Sequence, residues 1–321
     1  MVSQKPKKEA YGNEPYICPM KILITGASGL IGRALAHSLA KSSIPFNILS
    51  TKKNQVGSDK RHVFHWNPSK NKIDERAFEG VDTIVHLAGE PIFGKAWTAE
   101  QKKKIIDSRV QGANLLLETC KKQNFKLNHF ISASGIGYYG NAGDVWLNEA
   151  SPSDHSFTSE VCQLWEKAAS RFSEIDTKVS VIRIGIVLSK EGGYLAEMHQ
   201  KAKWGLLTSL GTGKQYVSWI HIDDLIRIIV DLIQSKLEPG TYNACSPSPV
   251  TNKEITKALA RAWHKTILLP PAPAFALKLL FGERSQALLD GQRASSEKLV
   301  NAGFQFEFND INAALNQIYS G

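Results

Sequence analysis

From position 20 onward, short runs of β-branched and aliphatic residues alternate with longer stretches whose apolar positions recur every three or four residues. The short runs at 21–25, 46–50, 62–66, 83–87, 129–132 and 178–184 predict strands. The longer stretches at 31–40, 99–122 and 159–174 predict helices, the last with Val161, Leu164, Trp165, Ala168 and Phe172 on one face. Strands separated by helices of this length predict parallel pairing through right-handed crossovers, and so an α/β fold with a Rossmann-type doubly wound parallel sheet. After 189 the rhythm breaks into Gly- and Pro-punctuated pieces, among them Gly192-Gly193, Gly211-Thr212-Gly213 and the proline cluster at 270–273. Residues 189–321 are therefore expected to form a smaller C-terminal, substrate-facing part beside a dinucleotide-binding domain at 20–188. An amphipathic helix over 223–235 and a short strand at 241–244 predict that 221–245 returns to the sheet.

Composition narrows the function classes. The chain has 321 residues, 42% apolar and 21% charged, and no uninterrupted apolar run of about 18 residues, so no membrane-spanning helix is expected. Lys and Arg outnumber Asp and Glu by 39 to 30, a charge of +9 that suits an anionic partner. Zinc-finger spacing and RNA-binding signatures are lacking, which favours a phosphate-bearing small molecule over nucleic acid. The expected partners are a small-molecule substrate, with no nucleic acid and no membrane, and the chain is expected to be a monomer or homodimer. Cys18, Cys120, Cys162 and Cys245 lie far apart without CxxC or metal-ligand spacing, which reads as reduced thiols in the cytoplasm and no metal site. Residues 1–19, with Lys5, Lys7, Lys8 and three prolines but no apolar segment, read as a disordered extension rather than a targeting sequence.

The strongest chemical signal is the stretch KILITGASGLIGRAL at 21–35: a hydrophobic strand, a turn with glycines at 26, 29 and 32, then a helix. Gly26 permits the tight turn, Gly29 lets backbone approach a pyrophosphate, and Gly32 allows close helix-to-strand packing. Ser28, Leu30 and Ile31 complete the loop and helix start, whose free N–H groups and positive dipole end favour an anion. The second strand ends in Ser50-Thr51-Lys52-Lys53, without the carboxylate that would hold the ribose hydroxyls of NAD. Hydroxyls followed by lysines suit a 2′-phosphate, so NADP(H) is the expected cofactor; lysines in a solvated loop are the alternative reading.

These residues give the chain a family likeness. It resembles the extended short-chain dehydrogenase/reductases, in particular the atypical branch of NAD-dependent epimerase-like, or nucleoside-diphosphate-sugar epimerase-like, proteins. The resemblance runs from 20 almost to the C-terminus and rests on ITGASGLIG (24–32), HLAGEPI (86–92), WTAEQKKKIIDSRV (97–110), GIGYYG (135–140), WIHIDD (219–224), GQR (291–293) and AGFQF (302–306). It implies that Leu87, Ala88 and Gly89 line the cofactor crevice, that Asn67 faces the adenine, and that Arg109 contacts a cofactor phosphate. Lys102 to Lys104 read as a solvated helix face, with Lys104, one turn and a residue before Arg109, placed to reach the cofactor as the other reading. Residues 185–187, Ile186 among them, would lie along the nicotinamide.

The resemblance also exposes a departure. Family members use a Ser or Thr that hydrogen-bonds the substrate, a Tyr that exchanges the proton, and a Lys four residues later that lowers the tyrosine pKa. Ser134 supplies the hydroxyl, but alignment on the helix acid Glu166 puts Thr158 at the tyrosine position and Cys162 at the lysine position. Tyr139 is the candidate substitute, and wall-building by Tyr138 and Tyr139 the alternative. The expected function is an NADP(H)-binding oxidoreductase or epimerase-like enzyme acting on a small carbonyl or nucleotide sugar, with a non-catalytic NADP(H) sensor as the rival. His221 reads as a structural residue that orients its loop, with Asp223 as the helix N-cap. The glycines at 211 and 213 lack the leading strand and the GK[ST] ending of a P-loop.

Overall fold

The computed structural model describes residues 20–52 and 62–320; the expected extension at 1–19 and Lys53 lie outside the described residues. In chain order the elements begin with β1 (Ile22–Thr25), α1 (Leu30–Lys41), β2 (Phe46–Ser50), β3 (Val63–Asn67), β4 (Lys72–Ile73), β5 (Thr83–His86), α2 (Ala99–Gln123), β6 (His129–Gly135), β7 (Trp146–Leu147), α3 (Phe157–Ser170) and β8 (Lys178–Ile184). They continue with β9 (Ile186–Leu188), α4 (Gly193–Lys203), β10 (Tyr216–Val217), β11 (Trp219–His221), α5 (Ile222–Ile233), β12 (Thr241–Ala244), β13 (Val250–Thr251) and α6 (Asn252–Ala262). The chain closes with α7 (Ala274–Phe281), α8 (Arg284–Leu289), β14 (Arg293–Ala294), α9 (Glu297–Asn301) and α10 (Ile311–Ser320).

One sheet of eight strands runs in the order β12-β8-β6-β5-β1-β2-β3-β4. All of its neighbouring pairs are parallel except β3 with β4. The chain builds outward from β1 in one direction through β2 and β3, then returns to the other side of β1 with β5. That reversal opens a crevice at the carboxyl ends of β1 and β5, the place where such sheets bind ligands. The strands are buried on both faces, as parallel strands under helices must be. Ile22 and Ile24 point to one side, where Leu35 of α1 and Leu225, Ile228 and Ile229 of α5 pack on them. Leu23 points to the other, with Leu116 and Leu117 of α2 and Ala168 and Ala169 of α3. A third cluster, centred on Trp219, joins α4, α6 and α10 in the C-terminal part. Among the described residues, no helix is long and apolar enough to cross a membrane.

Several boundaries differ from the sequence expectation for local reasons. β5 ends at His86: Leu87 N still donates to the carbonyl of its β1 neighbour Thr25 at 3.3 Å, but Ala88 N turns to the Thr25 side chain, Oγ1, at 3.2 Å. β6 runs on to Gly135, paired with Ile184. The expected helix at 159–174 begins earlier and breaks into a 3-10 turn, Arg171–Ile175. The expected N-cap Asp223 is corrected to His221, whose Nδ1 accepts from the Asp223 N–H at 3.2 Å. Accepting at Nδ1 leaves the proton of a neutral ring on Nε2, 3.0 Å from Gln317 Oε1. Asp224 instead is buried and accepts from the N–H groups of Glu307 and Phe308 at 3.0 and 3.1 Å, tying the C-terminal strap to α5.

Candidate functional site

The glycine turn is shaped by contacts that exclude side chains. Gly26 has φ +74°, and a Cβ there would stand 2.7 Å from the Leu87 carbonyl carbon and 2.8 Å from Ala88 N. A Cβ on Gly32 would press on the backbone of Gly26 and Ala27. The turn therefore lies flat against the exit of β5, and α1 starts directly over the crevice. Its N-cap, Gly29, offers no side-chain bond, and the first turn carries no acid. These N–H groups and the positive helix end suit an anion. Arg33 locks the turn from outside, donating to the Ser28 carbonyl at 2.8 Å and to the Glu191 carbonyl at 3.5 Å.

Behind the turn lies a buried polar pair. His86 Nε2 is 3.4 Å from the Arg109 carbonyl, which can only accept, so this nitrogen carries the proton and Nδ1 accepts from Thr25 Oγ1 at 2.8 Å. Burial pushes the His86 pKa down to about 4, which keeps the ring neutral. Arg109 lies across Gly89, where a Cβ would stand 2.8 Å from the guanidinium carbon. Its Nη1 donates to the Glu90 and Ile105 carbonyls, both at 2.9 Å, and the guanidinium sits 4.9 Å from the Trp165 ring centre. No carboxylate pairs with it among the described residues. Burial lowers its pKa to about 10, and its Nε finds no acceptor. Trp165 Nε1 is likewise buried without a partner. Two orphaned donors side by side are costly unless a ligand accepts from them.

A cavity of about 340 Å3 covers the turn, lined by the backbone of Gly26, Gly29 and Gly32, by Leu30, Ile31 and Leu87, and by Ser134, Trp165, Gly185 and Val187. Ser134 Oγ donates to Glu166 Oε1 at 2.7 Å. The same carboxylate receives Arg183 Nε at 2.9 Å and Nη2 at 2.8 Å, a two-pronged pair nearly withdrawn from solvent. Arg183 Nη1 reaches Tyr139 Oη at 2.9 Å, and that hydroxyl donates to Asn243 Oδ1 at 2.7 Å. A chain of hydrogen bonds thus runs from the cavity into the core. Burial pushes the Tyr139 pKa up to about 12.

The structure gathers most of the predicted cofactor residues here: Gly26, Gly29, Leu30, Ile31, Gly32 and Leu87 line the cavity, with Ser28, Ala88, Gly89 and Arg109 directly adjoining. Ser50, Thr51 and Lys52 stand together at the end of β2, Ser50 Oγ accepting from Lys52 N at 3.2 Å. Asn67 ends β3 and accepts from Ser69 Oγ at 2.8 Å. Three residues fall elsewhere. Lys104 turns to solvent and pairs with Glu100 at 2.7 Å. Ile186 faces the third apolar cluster, because side chains alternate along β9 and it is Gly185 and Val187 that reach the cavity. Tyr139 is buried in the Arg183 network and is not among the cavity's lining residues. Thr158 and Cys162 lie on α3, Thr158 packed at Gly137 and Cys162 donating to the Gly135 carbonyl at 3.5 Å. Sequence reading missed Trp165, Arg33 and the Glu166–Arg183 pair. Trp165 was visible only as one apolar face position among several.

Comparison with known proteins agrees with this geometry. Residues 22–245 match the model of the NAD dependent epimerase/dehydratase family, and 272–318 match a domain of unknown function, DUF1731. An epimerase family protein of Staphylococcus aureus is 33% identical over 303 residues, spanning 93% of this chain and 98% of its own. One from Mycobacterium leprae is 34% identical over 297 residues, spanning 92% and 94%. The human epimerase family protein SDR39U1, solved with NADPH, superposes with a TM-score of 0.83 at 27% identity, covering 94% of this chain and all of that one.

Proposed function

This chain belongs to the NAD dependent epimerase/dehydratase family, and on that premise we propose that it is a cytoplasmic, NADP(H)-binding, epimerase-like oxidoreductase acting on a small carbonyl or nucleotide-sugar substrate. The observation that carries the reading is the set of unanswered donors at one cavity, the uncapped start of α1 and Trp165 Nε1 in its lining, with Arg109 Nε unpartnered behind Trp165. A dinucleotide is the ligand whose chemistry answers them. The N–H groups from Leu30 onward take its pyrophosphate, the Gly29 N–H being held by the Gly26 carbonyl, and Arg109 and Trp165 supply donors deeper in. Thr51 and Lys52 hold a 2′-phosphate, Asn67 the adenine side, and Gly185 and Val187 the nicotinamide side. The NADPH in the human relative supports the choice of NADP(H) over NAD(H).

When bound, the nicotinamide gives or accepts a hydride. The chain's own task is to hold the reacting carbonyl and manage its proton. Ser134 carries the hydroxyl in the cavity lining; at rest its one proton is hydrogen-bonded to Glu166, so its oxygen accepts from a substrate hydroxyl as it stands and donates to a carbonyl oxygen by turning that proton from Glu166 to the substrate. Tyr139, with its hydroxyl engaged on both sides, positions Arg183 instead of exchanging a proton. The free, buried Cys120, Cys162 and Cys245 suit a reducing compartment.

Thr158 and Cys162 at the usual tyrosine and lysine positions favour one rival reading, a non-catalytic NADP(H) sensor. Following nicotinamide absorbance with the purified protein, NADPH and a panel of small carbonyls and nucleotide sugars decides between them. Oxidation that falls sharply in Ser134→Ala supports the enzyme. Tight binding without turnover on any member supports the sensor.

A further inference from the structure

The C-terminal part exposes far more apolar surface than the rest of the molecule, and in one region. Helix α7 is apolar at every position but Lys278, yet only Leu277 of its eight residues is buried. Phe275, Leu279 and Leu280 are 75%, 87% and 72% exposed. Trp204, just after α4, is 79% exposed and Leu268, just before the prolines, 73%, with Leu206 and Leu269 beside them.

The folding of the chain brings these segments together. Residues 206–211 run alongside 268–272: Thr208 Oγ1 donates to the Pro270 carbonyl at 2.7 Å, Ala272 N to the Ser209 carbonyl and Gly211 N to the Ala272 carbonyl, both at 2.8 Å. α4 and the residue that caps α6 meet where the His199 and Trp263 rings, tilted by 35°, lie 5.1 Å apart. Trp204, Leu206, Leu268 and Leu269 thus form one edge, continued by α7. All of these apolar side chains are open to solvent.

Charge completes the pattern. Lys201, Lys203, Lys265 and Lys278 lie in the same segments as the apolar residues, all exposed and none with an ion-pair partner among the described residues. Neither 199–206 nor 264–280 contains a single Asp or Glu. Exposed Trp, Phe and Leu among unpaired lysines is the composition of an interfacial anchor, in which apolar side chains enter the acyl boundary while lysines face anionic headgroups. Apolar side chains set among cations of one sign give the charge complementarity that an anionic bilayer offers.

We infer that this face, formed by the turn after α4, the segment before α7 and α7 itself, binds the surface of an anionic lipid bilayer. The contact is peripheral and leaves the cavity over the glycine turn free. It is independent of the proposed oxidoreductase reading, so either can fail alone.

Co-sedimentation of the full chain with vesicles of phosphatidylcholine, and of phosphatidylcholine with phosphatidylglycerol, tests the inference. The protein is expected to pellet with the anionic vesicles and remain in solution with the neutral ones. Raised salt should release it, because headgroup attraction to exposed lysines is screened. Replacing Lys201 or Lys278 by Ala should weaken partition about fivefold each. Leu279→Glu with Leu280→Glu should abolish pelleting while leaving Tm unchanged, since both side chains are solvent-exposed. Trp204→Glu, on the other segment, should weaken it independently. Failure to pellet with anionic vesicles overturns the inference. So does a wild-type dimer in vesicle-free solution that the Leu279→Glu/Leu280→Glu variant converts to monomer, which would assign the face to a second copy.

Discussion

Ser134 Oγ donates to the same Glu166 carboxylate that clamps Arg183 with two hydrogen bonds, so a serine at the cavity is oriented by a buried ion pair behind it. The hydroxyl is therefore fixed before substrate arrives. Positioning of this kind is worth most in the reacting state, where a misplaced hydroxyl costs rate rather than affinity. Ser134→Ala is expected to lower kcat by about a hundredfold with the Kd for NADPH within about twofold of wild type. Steady-state kinetics beside a fluorescence titration measures both. Equal losses in kcat and in cofactor affinity would contradict the assignment.

The Glu166–Arg183 pair itself is a stability element. Removing one partner strands a buried charge, a change that costs about 3–5 kcal/mol. Glu166→Gln keeps the shape and Ser134's acceptor but not the charge, and should lower the urea midpoint strongly without changing the m-value. A paired Glu166→Leu/Arg183→Met variant should recover part of that loss, because it leaves no unpaired ion.

Tyr139→Phe separates two roles. Losing the hydroxyl leaves Arg183 Nη1 with only the Glu149 carbonyl and Asn243 Oδ1 without its donor. The expected cost is about 1–3 kcal/mol in stability with kcat close to wild type. Loss of turnover in a folded Tyr139→Phe protein would return the proton-donor role to this tyrosine.

Acid stability should report His86. Its folded pKa of about 4 lies below the ordinary histidine value of 6.5, so the unfolded chain binds a proton that the native state refuses. The contribution is fully present above pH 6.5 and is lost as pH falls towards 4, up to about 3 kcal/mol in all. His129, held down to about 4 by burial beside Ser180, acts in the same window and direction. His86→Gln should flatten part of the slope of unfolding free energy between those limits, measured by urea titration at several pH values.

Much of the fold was legible because its signals are local. ILITGASGLIG encodes strand, turn and helix in eleven residues, and alternating periodicities announce the parallel sheet. The site residues that follow directly from the glycine turn were legible for the same reason. Others depended on contacts distant in sequence: Glu166 meets Arg183 from helix to strand, and nothing near either residue predicts it. Ile186 shows a finer limit, since a one-residue error in parity turns a side chain from the cavity to the opposite core. The His221 cap was hidden by two following aspartates that fit the usual cap pattern better than a histidine does.

The central claim is that the cavity over the glycine turn binds NADP(H). A parallel equilibrium titration of wild type and Gly26→Ala with NADPH and NADH, read by nicotinamide fluorescence, tests it most directly. Wild type is expected to bind NADPH at least tenfold more tightly than NADH, with Thr51→Ala/Lys52→Ala removing most of that preference. Gly26→Ala should bind neither, because its Cβ displaces the backbone at Leu87 and Ala88. No binding of either dinucleotide to the wild type, or undiminished binding to Gly26→Ala, would contradict the account.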